Sequence, residues 1–288
     1  MTHASRIFET YRIPFQWHLE IVAFYVLRVI GITYKTGVNK LRFYVHLIKA
    51  NGRVLSTDDG HITCKYSFRN RELNITLRIF PSSDPEVFEQ VFINEEYAPV
   101  IELSNGSGEN LTMIDAGANI GLTAIYFKMC FNDIKVIAIE PDSENFRLLV
   151  KNLEANQIST RHCLNAALWS ASIPLKTGNA FRDGKSWSIT VEEAGGSDSA
   201  LEGVTLPALF QQFDLQFLDV LKIDIEGAEK YVFEDHDAIE PLLKKTKYLA
   251  VEIHDEVCDR AAIENFLVRT GITVFHHGEL TIGENKGL

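Results

Sequence analysis

The run "LTMIDAGANIGLTAIYF", Leu111 to Phe127, constrains this chain more than any other stretch. An apolar segment ends on the acidic Asp115. Gly117, Asn119 and Gly121 then crowd into a few positions before a second apolar run begins. Glycine at 117 and 121 permits positive φ and close backbone approach. A strand can therefore stop, turn tightly and offer the N-terminus of the next helix to a small molecule.

From this point the pattern is regular. "LTMIDAG" leads to a helix over 119–130, "KVIAIEP" to one over 143–155, and "LKIDIEG" to a short helix near 227–235. "KYLAVEIH" precedes a helix over 259–269, and "TVFHHGELTIG" closes through a turn at His277-Gly278. Such alternation predicts an α/β fold: a mostly parallel, doubly wound sheet, helices on both faces, an antiparallel C-terminal hairpin, and strand carboxyl ends along one edge where ligands bind. Between about 168 and 205 the rhythm fails. Short alternating segments separated by Gly-rich turns read as an inserted hairpin near the site edge, with a long surface loop as the alternative. Trp169, Phe181 and Trp187 in or beside it are candidates for a stacking lid, against plain packing.

Residues 1–105 read as an N-terminal α+β extension, with 106–288 as the ligand-binding domain. The extension holds helix-like runs ("HLEIVAFYVLRVI", "LRFYVHLI"), a hairpin in "HITCKYSFRNRELNITLRIF", and a helix in "SSDPEVFEQVFINEEY". In that last helix Ser83 or Asp84 can cap, Pro85 can open the first turn, and Val87, Phe88, Val91 and Phe92 form an apolar stripe. The polar "LSNGSGEN" marks the boundary.

With 288 residues and 46% hydrophobic content the chain can bury one large core plus a smaller layer. A net charge of −11 disfavours nucleic acid as a partner. Cys64, Cys130, Cys163 and Cys258 lie far apart without CxxC pairing, which suits reduced thiols in a cytoplasmic protein. The most membrane-like segment, "IPFQWHLEIVAFYVLRVIGITY", is interrupted by His18, Glu20 and Arg28, so no transmembrane span is expected. Trp17 and Phe15 leave peripheral membrane contact open. Oligomeric state is not legible.

The glycine turn gains meaning from Glu140, which with Pro141 ends the next strand in "VIAIEP". An acidic group there accepts hydrogen bonds from both ribose hydroxyls of a nucleoside. A dinucleotide turn needs G-x-G-x-x-G, whereas this chain has Gly117-x-Asn119-x-Gly121. Asp115 would repel a pyrophosphate yet could hold an ammonium or sulfonium, directly or through water. The pattern therefore fits S-adenosylmethionine better than NAD.

"MIDAGANIGLTAIYF", "VIAIEPDSENFRLLVKNLEAN", "NAALWS", "VLKIDIEGAE" and "LAVEIH", in this order, resemble the FkbM family of S-adenosylmethionine-dependent methyltransferases over about Ile114 to His277, with a weaker echo in "DPEVFEQVFINEEY". The resemblance implies a Rossmann-like class I methyltransferase fold and O-methylation of hydroxyls on sugars or natural products. It also implies that Asp115, Gly117, Asn119 and Gly121 cradle the methionine moiety, that Glu140 holds the ribose, and that Asn165, Ala166 and Ala167 lie near the adenine.

For the chemistry, strand period sends Lys222, Asp224 and Glu226 of "LKIDIEG" toward a common side at the strand's end. Asp224 or Glu226 is expected to orient the acceptor or act as general base, with Asp224 also counted among the donor-binding residues and Lys222 fixing their charge, against a structural ion pair for Lys222. Glu229, on the following helix, is expected to be solvated. His254 of "VEIHDE" is a further candidate base, against a hydrogen-bonded core or rim histidine. Asp224, His254 and Asp255 could alternatively hold a divalent cation, but no dedicated metal motif is present and the metal stays unassigned. The acceptor is expected to be a small molecule or saccharide. Methyl transfer to nitrogen or a carboxylate, a non-catalytic adenosyl-binding module and, remotely, a dinucleotide oxidoreductase are the alternatives.

Overall fold

The computed structural model describes residues 13–31, 43–48, 50–78, 82–104, 110–180, 189–194 and 201–288. Phe181, Trp187 and the expected boundary at 105–106 lie outside them.

Helix α1 (Phe15–Val29) and a helical turn over 43–48 open the chain, followed by a meander β1 (Arg53–Asp58), β2 (His61–Phe68) and β3 (Arg71–Arg78). The alternating burial of β2 matches its period-two sequence, with Ile62, Cys64, Tyr66 and Phe68 turned inward. Helix α2 (Asp84–Phe88) then starts behind Ser83 with Pro85 in its first turn, and runs into a π turn over Glu89–Ile93. The sequence stripe predicts a single α-helix here. The wider turn departs from it and carries Gln90 and Val91 onto the wall of a cleft. Helix α3 (Ala98–Ser104) completes the layer.

The second part is β4 (Thr112–Ala116), α4 (Leu122–Cys130), β5 (Lys135–Ile139), α5 (Ser143–Ala155) and β6 (Cys163–Leu164), then an insertion of short strands. It continues with α6 (Leu206–Gln212), β11 (Leu218–Ile223), α7 (Glu229–Glu234), α8 (His236–Leu243), β12 (Thr246–Glu252), α9 (Arg260–Arg269), β13 (Ile272–His277) and β14 (Leu280–Asn285). The insertion consists of β7 (Ala167–Leu168), β8 (Pro174–Ala180), β9 (Ile189–Glu193) and β10 (Leu201–Val204), a four-stranded sheet in the order β7-β10-β8-β9 that contains the expected hairpin as β8–β9. Trp169 beside it is 3% exposed and packs its ring 4.4 Å from that of Tyr231, so it belongs to the core rather than to a lid.

The main sheet runs β13-β14-β12-β11-β4-β5-β6, parallel except for β14, which pairs antiparallel with β12 and β13. Chain direction across the sheet reverses between β4 and β11, which makes a topological switch point. This order, with one reversed strand inserted next to the edge, is the Rossmann-like class I methyltransferase fold. Alternation divides the core. Ile114, Ile137, Leu221, Ile223, Leu249 and Val251 face α6, α8 and α9, while Met113, Val136, Val220, Tyr248 and Ala250 face α4, α5 and the N-terminal layer.

That second face fuses the two parts. Tyr66, Phe68, Phe88 and Phe92 of the N-terminal layer pack on one another with ring centroids 5.0–6.5 Å apart, several edge to face, and Phe68 and Phe92 meet Tyr126 of α4 at 5.3 and 6.0 Å. Burying each such ring contributes roughly 1.5–3 kcal/mol. The free edge of β3 is closed by side-chain amides. Thr76 N–H donates to Asn152 Oδ1 at 2.7 Å and Asn152 Nδ2 donates to the Thr76 carbonyl at 3.0 Å. Asn156, four residues on and just past the end of α5, repeats this with Asn74 at 2.9 and 2.7 Å.

Candidate active site

The glycine turn is locked from three directions. Gly117 (φ 78°) and Gly121 (φ 85°) both occupy the left-handed region, as does Asn119 (φ 50°). The N–H groups of Gly117 and Ala118 both donate to the Ile139 carbonyl at 3.0 Å. The Gly117 carbonyl accepts Lys222 Nζ at 2.6 Å. A Cβ on residue 117 would sit 1.7 Å from the Asp224 carbonyl oxygen, and one on 121 would meet Leu149 at 3.3 Å. At 117 glycine is thus demanded by backbone packing as well as by φ, and at 121 chiefly by φ.

Beyond the turn lies a cleft of about 490 Å³ at the carboxyl ends of the parallel strands. Among the described residues, six carboxylates line it, Glu96, Glu140, Asp224, Glu226, Glu252 and Glu279, against one ammonium, Lys222. Of the expected donor-binding residues, Gly117, Asn119, Glu140, Pro141 and Asp224 are on the wall. Asp115 lies beneath it, fully buried, with Oδ1 3.3 Å from Lys222 Nζ. Neither Asp115 oxygen receives a well-directed hydrogen bond, and neither does the buried Asn119 Oδ1. Burial raises the Asp115 carboxyl above its ordinary range, opposed by the Lys222 charge. Gly121 and Asn165 also stand back from the wall. Asn165 Nδ2 donates to the carbonyls of Glu140 at 2.8 Å and Pro141 at 3.0 Å, so it fixes the loop, while Ala167 and Leu168 reach the cleft in place of Ala166.

Glu140 is held from several sides. The N–H groups of Asn119 and Asp142 donate to its two oxygens at 2.8 and 2.9 Å, and Asn145 Nδ2 donates to Oε1 at 3.3 Å. Asn145 is in turn gripped by Arg78 of β3 at 2.6 Å, and Arg78 is paired with the buried Asp84 at 2.7 Å. Burial pushes the Glu140 carboxyl up to about 7, with the two N–H donors opposing.

Three strand ends carry the remaining ionisable groups. Register sets Lys222 beside Asp115 on β4, and Nζ lies 3.4 Å from Asp224 Oδ2. Burial pulls the Lys222 ammonium down, but the charges of Asp115 and Asp224 outweigh it and hold the group protonated. Glu226 follows at φ 54°, an uncommon backbone state for this residue type. His254, 1% exposed, stands behind the wall with Nε2 3.4 Å from Glu226 Oε2 and 3.6 Å from Glu252 Oε1. Its Nδ1–H donates to Glu229 Oε1 at 3.0 Å, an assignment that follows because a carboxylate only accepts. Burial lowers the His254 pKa, yet its hydrogen bonds to Glu226 and Glu229 carry it up to about 11. Burial raises Glu226 and Glu252, the latter with the Asp224 charge adding to the effect.

The expectation that Glu229 is solvated is corrected. It is fully buried, and its Oε1 also accepts the Ile225 N–H at 3.0 Å. A lone Glu early in a helix reads as surface, and its partner His254 arrives 25 residues later. Asp255 faces Arg260, whose Nε lies 2.8 Å from its Oδ1, so among the described residues the group with metal-like spacing is Asp224, Glu226 and His254, their ligand atoms within 4.8 Å of one another.

Sequence reasoning missed Glu96, Tyr97, Gln90 and Val87 from the N-terminal layer, Val191 from the insertion and Glu279 from the last hairpin, all on the wall. The "DPEVFEQVFINEEY" echo was the one signal for the first group. Burial, with the Asp224 charge adding to it, pushes Glu96 up to about 7.

The chemistry of the wall suits a cationic nucleoside. Carboxylates dominate, Glu140 offers two oxygens to vicinal hydroxyls, and the donor-less Asn119 Oδ1 awaits an N–H; a pyrophosphate would meet repulsion.

A family model described as methyltransferase FkbM domain matches residues 115–271. The methyltransferase sdnD of Sordaria araneosa is 27% identical over 195 residues, covering 57% of this chain and 74% of that protein. Among solved structures, precorrin-6y C5,15-methyltransferase from Geobacter metallireducens GS-15 aligns at 13% identity and TM-score 0.37 over 65% of this chain and 85% of that one. The N-terminal domain of EvdMO1 in the presence of SAH and D-fucose aligns at 10% identity and TM-score 0.37 over 66% and 83%.

Proposed function

This chain belongs to the FkbM methyltransferase family and uses S-adenosylmethionine as methyl donor; from that premise we propose that its acceptor is a hydroxyl oxygen of a sugar or secondary metabolite. The observation that carries the reading is the Glu226–His254–Glu229 relay opening onto the cleft. A neutral amine has a free lone pair, but a hydroxyl must lose its proton as the C–O bond forms, so a base beside the acceptor matters most for oxygen. An anionic acceptor is opposed by six wall carboxylates.

In this reading Glu140 and Pro141 hold the ribose, and Asn119 with the backbone of Gly117 and Ala118 holds the methionine moiety, with Asp115 acting from beneath through Lys222. When bound, the donor supplies an electrophilic methyl on sulfur and departs as a neutral thioether. Glu226, 16% exposed and raised by burial, takes the hydroxyl proton, and His254 behind it orients the carboxylate and balances its charge. Asp224, paired with Lys222 at 3.4 Å, aligns the acceptor. His254 is absent from the wall, so its part is positioning rather than contact.

The product reports the linkage. Incubation with methyl-labelled donor and hydroxyl acceptors is expected to give label that survives hot alkali, as an ether does. Release as methanol would mark an ester and overturn the proposal. A second reading places a divalent cation on Asp224, Glu226 and His254, supported by their spacing; turnover abolished by EDTA and restored by Mg²⁺ would select it.

Donor binding also has a pH signature. Glu140 at about 7 is largely protonated below that value, whereas ribose hydroxyls favour the carboxylate. S-adenosylhomocysteine affinity, measured by calorimetry, is expected to climb with pH by up to about tenfold per unit below 7 and to level off above it. A flat profile would remove Glu140 from the ribose role.

A further inference from the structure

Helix α1 is apolar on two opposed faces. One face seats on the body through Trp17, 6% exposed and stacked 4.2 Å from the Tyr44 ring. The other presents Phe15, Leu19, Val22, Val26, Val29 and Ile30, which are 56–87% exposed. At 100° per residue these six fall within one stripe about 100° wide along a helix roughly 22 Å long. A continuous exposed apolar stripe of this kind marks a contact surface rather than the scatter of single apolar residues found on any protein.

Charge identifies the partner. Residues 1–50 carry seven Lys or Arg and two Asp or Glu, a net +5 in a chain whose total is −11, so the remaining residues carry −16. Arg28, exposed at the end of α1, belongs to this basic set. Among the described residues no helix is long and apolar enough to cross a membrane. A helix with an exposed apolar face, too short to span, basic in its flanks and attached to an acidic body, has the makeup of a segment that lies in an anionic lipid interface. The acidic remainder would be repelled by the same surface, which orients the molecule with α1 down. We propose that the outer face of α1 is a docking surface for anionic bilayers, holding this methyltransferase reversibly at a membrane. The proposal concerns where the enzyme sits and stands apart from the reading of the cleft.

The test is co-sedimentation of the full chain with vesicles of phosphatidylcholine alone and of phosphatidylcholine with phosphatidylglycerol. Binding is expected to the anionic vesicles, to weaken at high salt, and to fall by about tenfold or more for Leu19→Asp/Val26→Asp. That variant changes only exposed positions, so its melting temperature and S-adenosylhomocysteine affinity should match the parent. No binding to anionic vesicles at low salt overturns the proposal, as does binding that the double substitution leaves unchanged. Concentration-dependent dimers abolished by the substitution, without vesicle binding, would assign the stripe to a second copy of the chain and overturn it equally.

Discussion

Replacing Lys222 by Met is expected to cost about 3–5 kcal/mol of folding stability and to lower the melting temperature by roughly 10 °C, as read by calorimetry. The side chain is 2% exposed and sits between Asp115, Asp224 and the Gly117 carbonyl. Methionine matches its length but supplies neither charge nor donor. Asp115 is fully buried and receives no well-directed hydrogen bond, so without the ammonium it must take up a proton or stand as an isolated anion. The Gly117 carbonyl also loses its 2.6 Å donor, which loosens the glycine turn. Adding Asp115→Asn to the same background should return part of the loss, because it removes the stranded charge. A melting temperature within about 2 °C of the parent would show that the triad is not what holds these strand ends together.

The second large effect concerns turnover. Glu226→Gln is expected to lower kcat by about 10²–10⁴ while leaving S-adenosylhomocysteine affinity near that of the parent. Glutamine keeps the shape and a hydrogen-bond acceptor for His254, but it cannot receive a proton at neutral pH. Asp224→Asn should cost less, since its expected part is alignment. A Glu226→Gln enzyme with unchanged kcat on its true acceptor would transfer the base to another group, Glu252 being the neighbour 3.6 Å from the same imidazole.

Legibility in the sequence followed the range of the interactions. Helix α5 matches its expected span of 143–155, because Asp142 caps it locally and accepts the N–H groups of Glu144 and Asn145 at 3.0 and 2.8 Å. The glycine turn was readable for a similar reason: a positive φ leaves its mark on the residue that adopts it. The cleft's far wall was not. Glu96 and Tyr97 come from before β4 and Glu279 from the final hairpin, and only closure of the sheet and the N-terminal layer brings them together. Lys222 stood between two readings in the sequence, and geometry adds weight to the ion pair by tying the ammonium to the turn. The π turn at Glu89–Ile93 had no periodic signature, since its apolar stripe fits an ordinary α-helix equally well.

The amide pairs joining α5 to β3 bear on how such enzymes can be rebuilt. Asn152 and Asn156 imitate a neighbouring strand for Asn74 and Thr76, and Asn152 also donates to the Ile120 carbonyl of the glycine turn at 2.9 Å. A graft that exchanges the first hundred residues would leave two amides facing a foreign backbone and unsettle the glycine turn behind them. Chimeras should therefore carry α5 over together with the layer it clasps, so that the sheet edge and the turn it braces move as one inherited piece.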